Sequence, residues 1–145
     1  MNLSQGLMLS LAQAFATRFN GGFIRLFDAP PPATPDAAEA GTLLGIVSLR
    51  GSGAGLQYLA APAYVYNPPT EPWIFTALAT GEVKSFRAVA AGDTGGFAPD
   101  AFRIDGTIGA PFSGADMEWQ SVDVVKDAAY TLDSFVYIVH PLPRT

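Results

Sequence analysis

The chain has 145 residues, no cysteine, a formal net charge of −5, and 14% charged against 49% hydrophobic residues. That length fits one domain able to bury its own core, and the missing cysteine excludes disulfides and thiolate metal sites. The 8 basic residues are scattered singly, so no stripe tracks a phosphate backbone or an anionic membrane surface, and neither nucleic acid nor membrane is expected as a partner. No apolar run reaches the roughly 18–20 residues of a membrane span. An average soluble domain is about 25% charged. The shortfall leaves two readings: a surface covered by small neutral residues, or a surface partly buried against partners.

The first predicted element is a helix from about Ser4 to Phe19. Ser4 suits the N-cap, because its hydroxyl can accept from an orphan backbone N–H. Asn20-Gly21-Gly22 ends the helix, since glycine tolerates the left-handed closing residue. Leu3, Leu7, Leu11 and Phe15 follow i, i+4 spacing, and Met8, Ala12 and Phe19 widen the stripe. Leu9 lies off that stripe, between Gln5 and Gln13. The helix is apolar on more than one side, as a core-packing helix or as one partly buried by a neighbouring subunit. Its stretch Leu7–Leu11, followed by Ala12-Gln13-Ala14, has no basic n-region and is interrupted by Ser10 and Gln13, so it does not read as a signal peptide. A chain made in the cytoplasm is expected.

Phe23 to Asp28 reads as a strand that stops at Pro30-Pro31-Pro32, which cannot donate to a ladder. Thr34-Pro35 resembles an N-cap with proline at N1, which predicts one or two helical turns over Asp36–Ala40, closed by Gly41. Thr42 to Leu49 is a strongly apolar second strand. Gly51-Ser52-Gly53-Ala54-Gly55 is a turn, and Leu56 to Asn67 holds short strands broken by Pro62. Trp73–Ala79 and Val83–Ala90 flank Thr80-Gly81-Glu82 as a candidate hairpin. In its second arm Phe86 alternates with Lys84 and Arg87, the pattern of a half-exposed strand.

Ala101 to Ile108 is a strand with a kink or turn at Asp105-Gly106. Met117 to Val125 slips phase near Ser121, which predicts a bulge. Asp127-Ala128-Ala129 is a short turn. Tyr130 to Val139 is the last long strand, apolar on both faces and therefore expected to be central and covered twice. Pro141 and Pro143 end it. About seven to nine short strands, with turn signals about every 8–12 residues, predict a mostly β fold: a β-sandwich or small barrel with one N-terminal α-helix. The expected organisation is a single domain over 1–145, with helix and linker over 1–22 and the β domain over 23–145.

Each route to chemistry lacks a partner. His140, the single histidine, has no nucleophile–base–orienter set beside it. Asp93, Asp100, Asp105, Asp116, Glu118, Asp123, Asp127 and Asp133 could supply the carboxylate pair of a glycosidase. Most stand at turn positions, where Asp serves the backbone, and Glu118 and Asp123 fall on polar strand faces. No segment has calcium-loop spacing. In the glycine loop, Leu56 stands where a dinucleotide fingerprint needs its third glycine. Asn2-Leu3-Ser4 is a sequon that only a secreted chain would use. Tyr58, Tyr64, Tyr66, Trp73 and Trp119 could form a sugar-stacking platform, although aromatics also fill cores and interfaces. No catalytic, cofactor or metal residue is assigned, and no enzyme activity is expected.

Three stretches carry a resemblance. They are Phe23-Ile24-Arg25-Leu26-Phe27 with Pro31-Pro32-Ala33, Asp36-Ala37-Ala38 and Gly41-Thr42-Leu43-Leu44; then Ser85-Phe86-Arg87-Ala88-Val89; then Arg103-Ile104-Asp105-Gly106-Thr107-Ile108-Gly109 with Gly114-Ala115-Asp116-Met117. In this order the chain resembles a loose group of small tailed-bacteriophage virion proteins, from which it departs at Glu82-Val83-Lys84-Ser85. The resemblance implies a non-enzymatic virion component with no catalytic residues to carry over. Capsid decoration or cement is the first expectation, with the major capsid protein as partner and a homo-oligomer, a trimer, as the assembly. A tail, connector or receptor-binding (carbohydrate-binding) module is the alternative. The candidate interface is Leu7, Leu9, Leu11, Phe15 and Phe19 on the helix, with Pro31 and Pro32 in the loop.

Overall fold

In the computed structural model, which describes residues 2–139, the N-terminal helix forms where its caps require. Helix α1 spans Gln5–Phe19. The Ser4 hydroxyl oxygen accepts from the Leu7 N–H at 3.1 Å, and the Asn20 N–H donates to the Ala16 carbonyl at 2.8 Å. Gly21, at φ 83°, then turns the chain away. The Gly21 N–H donates to the Leu56 carbonyl and the Leu56 N–H to the Gly22 carbonyl, each at 2.8 Å. A Cβ on Gly55 would overlap the Gly21 backbone, so the two glycines let these segments touch.

The strands in chain order are β1 (Phe23–Phe27), β2 (Leu43–Leu49), β3 (Leu59–Ala61), β4 (Tyr64–Tyr66), β5 (Trp73–Thr76), β6 (Gly81–Glu82), β7 (Ser85–Val89), β8 (Arg103–Gly109), β9 (Met117–Glu118), β10 (Asp123–Val124), β11 (Ala129–Leu132) and β12 (Val136–Ile138). The fold is mostly β with one N-terminal helix, and seven strands form a curled half-barrel ordered β11-β5-β2-β1-β7-β8-β9. Its β8–β9 pair is parallel; the others are antiparallel. Two small sheets, β10-β6 and β12-β4-β3, complete the β structure of the described residues. The core gathers Ile24 and Leu26 from β1, Leu44 and Val47 from β2, Trp73 and Phe75 from β5, Phe86 and Ala88 from β7, and Ala12, Ala16 and Phe19 from α1.

Several expectations need correction. Residues Asp36–Ala40 form no helix but a turn and a bend that run into irregular chain. The Ala37 N–H returns to the Thr34 carbonyl at 3.1 Å, and beyond it the backbone bonds to other segments: Glu39 N–H to the Gly95 carbonyl and Asp36 carbonyl to the Ala98 N–H, each at 2.9 Å. Those tertiary bonds replace the i→i−4 bonds of a helix. Thr80-Gly81-Glu82 does not turn a hairpin, because Gly81–Glu82 is itself β6, paired with β10. β5 pairs with β2 and β11, while β7 pairs with β1 and β8. Nor is β7 half-exposed: all five of its residues are buried.

Asp105-Gly106 is no turn either. Both residues lie inside β8, paired with Arg87 and Phe86. A Cβ on Gly106 would lie 2.5 Å from Phe86 Cζ, so the glycine makes room for a ring rather than for a turn. The expected bulge near Ser121 is a break, after which the chain passes from β9 to β10 in another sheet. The turn at Asp127 is present as a bulge. Asp127, at φ 71°, donates its N–H to the Ala77 carbonyl while the Ala77 N–H donates to the Ala128 carbonyl, the G1 pattern with Asp in the left-handed position.

The long last strand is two strands. Asn67 divides them: its Oδ1 accepts from the Phe135 N–H at 2.9 Å, and its Nδ2 donates to the Asp133 carbonyl at 3.3 Å. β11 and β12 are sheet edges, not central strands. Val136, Tyr137 and Ile138 are 59%, 37% and 52% exposed. The expected terminators Pro141 and Pro143 lie outside the described residues.

Candidate functional site

The helix presents two faces, as its composition implies. Phe19 is buried and Phe15 half-buried, their rings stacked at 4.4 Å, and Phe15 also stacks on Tyr137 at 5.1 Å. Phe19 packs into this chain's own core and contributes to the lining of the groove beside Leu11. Leu9 is half-buried. Leu7 and Leu11 face outward at 47% and 41% exposure. Beside Leu11 runs an apolar groove of about 400 Å³ lined also by Phe15, Phe102 and Tyr137. The Arg18 guanidinium lies 4.9 Å over the Phe102 ring at its rim, a cation–π contact.

Pro31 and Pro32 are half-buried. α1 packs on β3 and β4, whereas the prolines begin the crossover that covers β1, β7 and β8. The structure thus divides the candidate interface between two places. Beneath the crossover lies the polar feature that sequence reasoning missed. Arg25, Arg87 and Asp105 stand opposite one another across β1, β7 and β8, and Arg103 shares their face two residues from Asp105. Arg87 binds Asp105 through two bonds of 2.6 and 2.9 Å, and Arg103 binds Asp93 through two of 2.6 and 2.7 Å. Arg25 pairs with Glu39.

The arginines also hold the crossover backbone. The Ala37 carbonyl accepts from Arg87 Nη1 at 2.9 Å and from Arg103 Nη1 at 3.2 Å. The Pro35 carbonyl accepts from Arg103 Nη1 at 3.1 Å, and the Gly96 carbonyl from Arg103 Nη2 at 2.7 Å. The Arg103 hydrogen bonds hold the Asp93 carboxyl below its usual value against the opposing effect of burial, and the same pair raises the Arg103 guanidinium. Three cations meet three anions, so the row is neutral and saturated. Its geometry is structural: it binds the crossover to the sheet and leaves no free charge for a ligand. A lone arginine within an apolar run, as in Phe23–Phe27, is the sequence signal that could have exposed it.

A second feature is the mouth of the half-barrel, a cleft of about 960 Å³ between β8, β9 and β10 on one side and β11 and β12 on the other. Trp119 lies in it and stacks on Phe75 at 6.0 Å; Phe75 stacks on Tyr130 at 5.3 Å. The carboxylates there have backbone duties. Asp116 Oδ2 accepts from the Thr107 N–H at 2.9 Å, and Glu118 from the Phe112 and Gly114 N–H groups at 2.9 and 3.3 Å.

The five aromatics that could have formed a platform are not assembled into one. Tyr58 and Trp73 are core residues packed edge to face at 5.1 Å, and burial pushes the Tyr58 phenol well above its usual range. Tyr64 and Tyr66 pair with each other on β4 at 5.7 Å. Asp93 does serve its glycine loop, where Oδ1 accepts from the Gly95 N–H at 2.9 Å, and it also pairs with Arg103; Asp105 lies inside β8 and is paired with Arg87. His140 lies outside the described residues. Among the described residues no group of three or more His, Cys, Asp or Glu is placed to hold a metal ion, and no helix is long and apolar enough to cross a membrane. In comparisons with known proteins, no family model, no curated protein and no solved structure matches this chain.

Proposed function

We propose that this chain is a non-enzymatic assembly protein, a structural component of a tailed-phage virion that acts as a capsid decoration or cement subunit. The observation that carries the assembly role is the outward face of α1. Leu7 and Leu11 stand exposed beside an apolar groove, while six of the chain's charged side chains are spent in internal pairs. A surface so poor in cations and marked by an apolar helix face suits burial against protein. The phage assignment is supported by the order of motifs at Phe23–Leu44, Ser85–Val89 and Arg103–Met117. The major capsid protein is the partner and a homo-oligomer, a trimer, the assembled form. A shell gains stability from any subunit that binds only its assembled state, and repeated modest contacts add through multivalency. The receptor-binding alternative has less support, because two residues of its aromatic platform lie in the core.

Co-sedimentation with empty tailed-phage capsids tests this reading. The chain is expected to pellet with shells, and a Leu7→Asp, Leu11→Asp double variant to remain in the supernatant while keeping the parent's melting temperature. Binding to no assembled shell, or equal binding by the double variant, would sink it.

A further inference from the structure

The half-barrel does not close. Its two edge strands, β9 and β11, both line the same cleft, together with β12, an edge of the three-stranded sheet. An edge strand offers a row of unpaired N–H and C=O groups. β11 pairs with β5 on one side, with Tyr130 opposite Phe75 and Thr131 opposite Ile74. The bond from the Ala77 N–H to the Ala128 carbonyl sets the phase of this ladder. Antiparallel pairs alternate, so the backbone of Tyr130 turns toward β5 and that of Thr131 turns outward.

The charge around that edge has one sign. Among the described residues Asp116, Glu118 and Asp133 line the cleft, and no lysine or arginine does. Asp105 also lines it but is neutralised by Arg87. The cleft volume of about 960 Å³ lies at the upper end of the roughly 300–1,000 Å³ typical of binding pockets. We infer that this mouth is a docking cleft for an extended, cationic segment of a partner protein, which adds to the outward edge of β11 as a further strand. Strand addition supplies main-chain hydrogen bonds, and alternate side chains of the incoming segment meet the carboxylates and the Trp119 face. The inference concerns a different face from that of α1 and stands independently of the shell reading.

Fluorescence anisotropy with a labelled peptide of about eight residues, alternating lysine and valine, tests it; a glutamate–valine peptide is the counterpart. The lysine peptide is expected to bind one per chain, and the glutamate peptide at least about tenfold more weakly. Asp133→Lys should weaken lysine-peptide binding by about tenfold. Thr131→Pro removes an outward N–H without touching the β5 ladder and should weaken it as much. A lysine peptide N-methylated at alternate residues, which cannot add to an edge, makes the same test on unaltered protein. Equal binding of both charges, no binding at about 1 mM, or full binding of the N-methylated peptide would overturn the proposal. Self-association that excludes the peptide would assign the cleft to a second copy and overturn it as well.

Discussion

Removing the Asp105 carboxylate leaves the Arg87 guanidinium buried without its counter-ion. The two side chains are 2% and 7% exposed and joined by two hydrogen bonds. Breaking such a pair from one side costs about 3–5 kcal/mol, because the remaining charge cannot reach water. A domain commonly has about 5–15 kcal/mol in total, so Asp105→Ala should remove a large fraction of the stability. At roughly 2–4 °C per kcal/mol for a chain near this size, melting should fall by on the order of 10 °C. Replacing both partners, as Arg87→Met with Asp105→Leu, should recover most of the loss, since a packed apolar pair is often neutral or better. The Ala37 carbonyl stays bonded in that variant through Arg103 Nη1 at 3.2 Å. Urea unfolding of the parent, the single and the double variant, repeated in about 1 M salt, gives the comparison; a buried pair should respond little to screening. The reasoning fails if Asp105→Ala loses under about 1 kcal/mol, or if the double variant is as unstable as the single.

Three further outcomes follow from the structure. The Asp93 carboxyl is held below its usual value by Arg103, so its contribution is full above the unfolded carboxylate value of about 3.9 and is lost as pH falls through the lowered folded value. Acid unfolding curves of the parent and Asp93→Asn should therefore converge in that acid range and separate above it; a constant gap at all pH values would refute this. Gly106→Ala should cost about 1–3 kcal/mol by pressing a methyl group into the Phe86 ring. Gly6→Ala meets nothing within 4 Å on the first turn of α1 and should be stabilising by up to about 1 kcal/mol, both read by thermal melting.

Local chemistry was legible where it acts within a few residues. The Ser4 cap, the Asn20-Gly21 stop, the β1 and β2 runs and the Pro62 break between β3 and β4 all follow from signals confined to short windows. The errors share a cause. Thr34-Pro35 and Asp105-Gly106 carry strong local signals, for a helix start and for a turn, and both were overridden by contacts from distant segments. Arg87 and Arg103 hold the Ala37 carbonyl, and the Phe86 ring occupies the space above Gly106. The two-faced apolarity of Tyr130–Val139 was real, but it reflects two edge strands whose sides meet different neighbours rather than one central strand.

The sequence by itself determined a mostly β chain with one capped, largely apolar helix, scarce charge and no cysteine chemistry, because composition, periodicity and capping are properties of neighbouring residues. The tertiary structure decided the strand order, the neutral ionic row beneath the crossover, the outward turn of Leu7 and Leu11, and the open mouth between β9 and β11. Each of these depends on which distant strands pair. Pairing is settled by the total burial and hydrogen bonding of the whole fold, which no short window of residues contains.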